Sequence, residues 1–255
     1  MVAPTTTVIM RFYAGLNDFL PPSQRQVSFA VSSRGPVSIK HLIEARGVPH
    51  TEVAAILANG QPVDFRYLAA DGDRFAVYPI FANLDVSDWP PLRPRLPHPP
   101  GFVLDGHLGQ LALYLRLLGF DTRYQNNADD VLLAQLAHDE QRVLVTRDQA
   151  LLMRKIVTHG CCLLSHDPRQ QLLTLLHRFQ LFPEIRPWQR CLRCNGKLQP
   201  VAKEAVLSRL EPKTRLYYDE FHVCQQCDHI YWKGSHYAAL CAFIAEIMAQ
   251  KAVQV

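Results

Sequence analysis

Apolar and polar positions alternate from Thr7 to Tyr13, and this period of two predicts a strand. A second strand is expected over Gln26 to Val31. Ser38 stands where its hydroxyl can cap a helix through Ile39, Leu42, Ile43 and Ala45, which Gly47 stops. Val53 to Leu57 is apolar, Asn59-Gly60 signals a tight turn, and Asp71-Gly72-Asp73 signals another before Phe75-Ala76-Val77-Tyr78. Two strands, a helix and further short strands fit a compact α+β roll.

From residue 101 the pattern changes. Phe102-Val103-Leu104 is a short apolar run, and His107 to Leu118 places Leu108, Leu111, Ala112, Leu115 and Leu118 at helical spacing, ended by Gly119. A strand over 120–124, a helix over Val131 to Ala137 capped by Asp129-Asp130, and a strand over 143–146 are expected next. A helix around 149–157, a strand over 161–165 and a helix from Pro168 to Phe179 follow, and a helix from about His236 to Lys251 finishes the chain. Such alternation predicts a parallel sheet with flanking helices, whose strand C-termini share one edge. Between the two patterns lies Asp88 to Gly101, DWPPLRPRLPHPPG, where six prolines exclude helix and interior strand and favour an extended linker.

Composition narrows the class. Of 255 residues 48% are hydrophobic and 20% charged, enough to bury a core. There is no run of 18 apolar residues, and MVAPTTTVIMRFY lacks the basic region and apolar stretch of a signal peptide, so a soluble cytoplasmic protein is expected. The net charge of +4 is concentrated late: residues 181–255 carry 10 basic and 7 acidic side chains. Phosphate contact is expected there, although an ordinary solvated surface has the same balance.

Two constellations carry chemistry. Asp105, Asp148 and Asp167 each follow a strand-like run, and Asp130 opens a helix. Parallel strand ends gather such side chains, and gathered carboxylates need protons or cations to coexist. A hard divalent ion such as Mg²⁺ or Mn²⁺ is the usual bridge, and hydrolysis of a phosphodiester is its commonest use. Thr146 sets a hydroxyl beside Asp148 where a metal-bound water can be oriented, and Arg147 and Arg154 can meet a phosphate or balance the acids. Asp129 and Asp130 can equally be plain helix caps.

The second constellation is Cys191-x-x-Cys194 and, after 29 intervening residues, Cys224-x-x-Cys227. Each pair sits in a short turn and delivers two thiolates, and tetrahedral Zn²⁺ takes four. A closed site of four cysteines predicts a structural zinc. A redox dithiol fits less well, because there are two pairs and neither starts a helix in a βαβ unit. His222 and His229 flank the second pair as substitutes. Cys161, Cys162 and Cys241 read as small buried hydrophobes, and His41 and His50 as surface or structural residues.

The text FVLDGHLGQLALYLRLLGFDTRYQNNADD, then RVLVTRD, CLRCNGKLQPV and YWKGSHY resembles the Mut-seven C-terminal RNase family. LNDFLP, IEARGVPHTEVAAILANGQPVDF and DGDRFAVYP resemble the ubiquitin-like (β-grasp) domain that precedes it in bacteria. The resemblance implies an α/β PIN-like domain with a zinc ribbon, preceded by an α+β ubiquitin-like domain. The expected layout is 1–83 ubiquitin-like, 84–100 linker, 101–182 nuclease, and 187–235 ribbon with a helix over 236–251. It implies a ribonuclease using Mg²⁺ or Mn²⁺ on Asp105, Asp130 (or Asp129), Asp148 and Asp167, with RNA as substrate and a possible protein partner for the ubiquitin-like domain. Gly106-His107 departs from the usual Ala-Met, Gln110 from a frequent Arg, and Tyr114 from Trp. Sulfur carriers of the β-grasp fold end in Gly-Gly, whereas this domain runs on through Pro79-Ile80-Phe81, which disfavours a carrier role. A non-catalytic RNA-binding or adaptor protein is the alternative, and a toxin-like PIN protein a third.

Overall fold

The structure is a computed structural model that describes residues 5–80 and 89–252. In chain order its first elements are β1 (Thr5–Phe12), β2 (Phe29–Arg34), α1 (Ile39–Glu44), β3 (Val53–Ala58), β4 (Gln61–Pro62) and β5 (Arg74–Pro79). Next come β6 (Phe102–Leu104), α2 (Gly109–Leu117), β7 (Thr122–Tyr124), α3 (Asp130–Asp139), β8 (Val143–Thr146), α4 (Gln149–Leu152), β9 (Gly160–Cys162) and α5 (Pro168–Arg178). The last part holds β10 (Leu198–Val201), α6 (Lys203–Val206), α7 (Pro212–Tyr217), β11 (Phe221–Cys224), β12 (Ile230–Trp232) and α8 (Tyr237–Ala249). Two compact units result, Met1–Leu96 with Ala128–Leu163, and Pro97–Asn127 with Leu164–Val255. Residues 84–88 of the expected linker, and Phe81, lie outside the described residues.

In the first unit the N-terminal sheet has the order β2-β1-β5-β3-β4, with β1 antiparallel to β2 and parallel to β5. Val8, Met10 and Phe12 of β1 alternate inward and share a buried core with Ile39 and Ile43 of α1, Ile56 and Val77. The Ser38 hydroxyl accepts the His41 N–H at 3.3 Å, as its capping position predicts. Asn59 and Gly60 both have positive φ, which turns β3 tightly into β4. β2 starts later than the sequence pattern predicts. Gln26 sits in the left-handed region at φ 57° with its N–H bonded to Asn17 Oδ1 at 2.6 Å, so the chain is still turning there.

The same unit contains β8 and β9, paired in parallel. Every residue of Val143–Thr146 is buried, as expected of a continuous apolar run in a parallel strand. A turn at His50–Glu52, itself buried, joins the N-terminal roll to this pair. Glu52 Oε1 accepts the Cys162 N–H at 2.6 Å, and the His50 Nε2 atom lies 2.8 Å from Val157 O. The carboxylate therefore satisfies a backbone donor of β9 that would otherwise be buried at a cost. Residues 89–101 carry neither helix nor strand. They are nonetheless tied down: Arg93 Nη1 donates to Thr51 O at 2.6 Å and His159 Nε2 to Pro94 O at 2.7 Å. These ties place Ala128–Leu163 in one compact unit with the N-terminal roll, a grouping that the linker pattern does not convey.

In the second unit β6 and β7 pair in parallel. α2 buries Leu111, Ala112 and Leu115 along the predicted stripe. Gly119 ends it at φ +99°, where a Cβ would lie 2.1 Å from Arg186 O. β10, β11 and β12 form an antiparallel ribbon, and Val206, Leu210, Phe221 and Ile230 make a small core. α6 and α7, inserted between β10 and β11, had no clear signal in the sequence. α4 covers only Gln149–Leu152 of the helix expected to 157: from Met153, whose N–H bonds both Gln149 O and Ala150 O, the chain goes on in tight turns. Cys161 and Cys162 are buried as expected, whereas Cys241 on α8 is only half-buried.

Candidate metal centre and acidic strand ends

Cys191, Cys194, Cys224 and Cys227 come together with their sulfurs all within 4.8 Å of one another. Cys191 and Cys227 Sγ are 3.6 Å apart, and Cys194 and Cys224 Sγ 3.4 Å. A disulfide needs about 2.05 Å. Four sulfurs about 2.3 Å from a central zinc stand about 3.8 Å apart. The spacing therefore fits a tetrahedral ion, and none of the four is in a disulfide. Each knuckle closes on a left-handed residue after its second cysteine, Asn195 at φ 72° and Asp228 at φ 59°. Asn and Asp tolerate that region better than other side chains. Gly196 is required by contact: a Cβ there would lie 2.8 Å from Cys224 Sγ.

Cys191 and Cys194 shift in opposite directions. Burial pushes Cys191 up, but hydrogen bonds from the Tyr231 hydroxyl and the backbone of Cys194 and Arg193 outweigh it and bring the thiol down to about 7. Cys194 is pushed up to about 12 by burial and its neighbouring thiols. Four thiolates this close together repel one another and require a cation at their centre. Tyr231 Oη lies 3.1 Å from Cys191 Sγ and accepts the Leu192 N–H at 3.0 Å.

The knuckle is held to α2 and β7 by a buried arginine. Arg116, 4% exposed, donates to Thr122 O from Nε and Nη2, and to Leu192 O and Arg193 O from Nη1 at 3.0 and 3.1 Å. Burial lowers its pKa, and the carbonyls replace the water it has lost. Asn195 Oδ1 accepts the Thr122 N–H at 2.9 Å, and its amide donates to Asp121 Oδ1 at 2.8 Å. Asp121, which looks like a surface residue in the sequence, also pairs with Arg190 at 3.2 Å. Arg116 was not singled out by sequence reasoning. Its signal is a charged residue on a helix whose neighbours, Leu115 and Leu117, are both buried.

Most of the sequence-predicted acids are anchored locally. Asp105 follows β6 directly and is half-buried. Asp129 Oδ1 caps α3 by accepting the Leu132 N–H at 2.8 Å, and Asp130, in the first turn, pairs with Arg154 at 3.5 Å. Asp148 Oδ1 caps α4 through Ala150 N at 2.7 Å, and Asp167 Oδ1 caps α5 through Arg169 N at 2.9 Å. Thr146 is fully buried, and its hydroxyl accepts the Asp148 N–H at 2.9 Å. It thereby shapes the turn that presents Asp148. Arg154 is placed as the balance of an acid. His222 and His229 lie beside the ribbon cleft, outside the four-sulfur cluster.

Compared with protein-family models, residues 100–244 match the Mut7-C RNAse domain. The chain belongs to that family. Residues 5–85 match Mut7-C ubiquitin, so the N-terminal roll is a ubiquitin-like domain. A comparison with curated proteins finds no match. The Mut7-C domain spans Asp105, Asp130, Asp148, Asp167 and all four clustered cysteines. Its departure at Gly106 has a local cause. A Cβ at 106 would lie 2.5 Å from Asn126 O, while Tyr124 Oη sits 2.9 Å from Gly106 O. The alanine expected here collides with the chain after β7, so glycine at this position reflects packing. Among the described residues, no helix of this Mut7-C protein is long and apolar enough to cross a membrane.

Proposed function

We propose that the protein is a metal-dependent ribonuclease of PIN type. Asp105, Asp130, Asp148 and Asp167 would take Mg²⁺ or Mn²⁺, with Asp129 as the alternative to Asp130. The observation that carries this reading is the family match over residues 100–244, together with carboxylates just past two parallel strands, Asp105 after β6 and Asp148 after β8. Carboxylate oxygens are the donors that hard divalent ions prefer. When bound, such ions make water nucleophilic near neutral pH and offset the charge that grows on the phosphodiester. The chain's own part is positional. Caps from Ala150 and Arg169 fix Asp148 and Asp167, and the buried Thr146 hydroxyl holds the turn that carries Asp148.

The four cysteines would hold a structural Zn²⁺, since four thiolates leave no open coordination position. The basic surplus of residues 181–255 would add phosphate contacts to RNA. Residues 1–83 serve as the ubiquitin-like domain, 84–100 as the linker, 101–182 as the nuclease domain and 187–235 as the ribbon, followed by the helix over 236–251. The ubiquitin-like domain supports the nuclease strands through Glu52 and offers its remaining surface to a protein partner. Free cysteines suit a reducing compartment such as the cytoplasm.

The test is cleavage of labelled single-stranded and structured RNA in Mn²⁺, in Mg²⁺ and without added metal, with Asp148→Asn alongside. Asparagine caps a helix as well as aspartate does, so the fold is retained. Metal-dependent cleavage should fall by at least about 100-fold in the variant, the scale on which even indirect support of a metal site is felt. Cleavage that persists at the wild-type rate sinks the residue assignment.

A further inference from the structure

Beside the ribbon, the second unit contains a cleft of about 560 Å³ whose lining includes Trp188, Tyr231, Trp232, Tyr237, Arg190 and Lys233. That volume is in the range of small-ligand sites, about 300–1,000 Å³. We infer that this cleft is a subsite for an unpaired nucleobase of a single-stranded RNA, with its phosphates toward Arg190 and Lys233. The inference rests on the reading of the chain as a ribonuclease and adds where the strand is held.

Several features keep aromatic faces at this wall. Trp188 has a φ of 65°, in the left-handed region that a bulky side chain rarely adopts. Strain of this kind persists where the surroundings impose it and concentrates at ligand sites. Its ring lies 5.0 Å from that of Tyr237, inclined by 30°. Trp232 ends β12 with 40% of its surface exposed, although it is the largest kind of apolar side chain. Gly234 makes room for it, since a Cβ there would lie 2.9 Å from Trp232 Nε1. Lys233 stands 6.0 Å from the Tyr237 ring centre.

An apolar cleft alone would equally take a hydrophobic peptide. Here the wall carries two cations, Arg190 and Lys233, against one acid, Glu220. Glu220 pairs with Lys233 at 2.5 Å, and Arg190 pairs with Asp121 at 3.2 Å, so a phosphate would share cations already held in place by carboxylates. The surrounding residues 181–255 carry the basic surplus of the chain. Aromatic faces interleaved with cations are how single strands are bound with little sequence preference, because every base has a π face and every nucleotide a phosphate. A duplex keeps its bases stacked and has none to offer.

The test uses full-length, zinc-loaded protein without Mg²⁺ or Mn²⁺, and follows tryptophan fluorescence on titration with hexauridylate, hexaadenylate and a blunt RNA duplex. Saturable quenching by both single strands is expected, with weak competition by the duplex. Trp232→Ala should weaken single-strand binding about tenfold, the scale of one lost base stack, and Trp232→Phe should retain most of it. Unchanged affinity in Trp232→Ala, with folding and zinc content intact, overturns the subsite. So does equal competition by the duplex, or preferential competition by an apolar peptide. Cleavage is measured separately in Mn²⁺. Absence of cleavage with tryptophan-dependent binding intact would overturn the nuclease and leave the subsite. Cleavage with unaltered kcat/KM in Trp232→Ala would do the reverse.

Discussion

The cysteine cluster, which the structure brings together, and the acidic strand ends, proposed above to hold metal ions, are built differently. The cysteines are brought together by structure around them: the Arg116 bridge, the Asn195 amide and the Tyr231 hydroxyl fix the knuckles from outside. Asp148 and Asp167 are fixed one at a time by the first turns of their own helices, and Asp130 by one arginine. A site whose purpose is to close can be built as a single rigid object. On the proposed reading the carboxylates meet a substrate and its ions and need solvent access, which agrees with a local posture set by single caps and pairs. The contrast implies that damage at the cysteines appears as lost structure, and damage at Asp148 as lost activity.

Cys224→Ser, or zinc removal by a chelating dye, should break the comparison most severely. Structural zinc sites contribute their binding energy to folding, so the ribbon should lose its cooperative melting transition. One zinc per chain in wild-type protein and none in the variant is the expected assay result. A variant that melts as wild type would show that the cluster needs no metal. Arg116→Ala comes next. It leaves the Thr122, Leu192 and Arg193 carbonyls without their donor, and should cost on the order of 2–4 kcal/mol in denaturant unfolding, since a hydrogen-bonded charge and its buried partners are lost together. Zinc affinity should fall with it. Loss of stability without loss of zinc affinity would separate the scaffold from the site.

Glu52→Ala probes the ubiquitin-like domain. It removes the acceptor of the Cys162 N–H and should cost about 1–3 kcal/mol. Hydrogen exchange at Cys162 should accelerate relative to the ribbon, and uniform exchange throughout the chain would argue against a local role. Arg154→Ala is the mildest. Its pair with Asp130 is about half exposed on both sides, so stability should change by less than about 1 kcal/mol. A large drop in melting temperature would mean that Arg154 holds more than one acid.

Much of the candidate chemistry was legible because it is local. Two C-x-x-C turns, the Asp129 cap, and the buried run of β8 are stated by residues adjacent in sequence. Glu52 and Arg116 were not legible. Each looks like an ordinary surface charge until its partners arrive from 110 and 76 residues away. Gly106 was misleading for the same reason. Its resemblance to a lost motif is explained by Asn126, a neighbour that only folding supplies.

By itself the sequence determined the order of strands and helices through α5, the place of the proline-rich segment, the two pairs of cysteines and the acids at strand ends. These depend on periodicity, caps and turn chemistry, which act over a few residues. Only the tertiary structure decided that the turn at 50–52 completes the hydrogen bonding of β9, that Arg116 braces the cysteine knuckle, and that Trp188 and Trp232 line one cleft. Those outcomes depend on which buried polar groups must find partners, and a chain has no means of stating that locally.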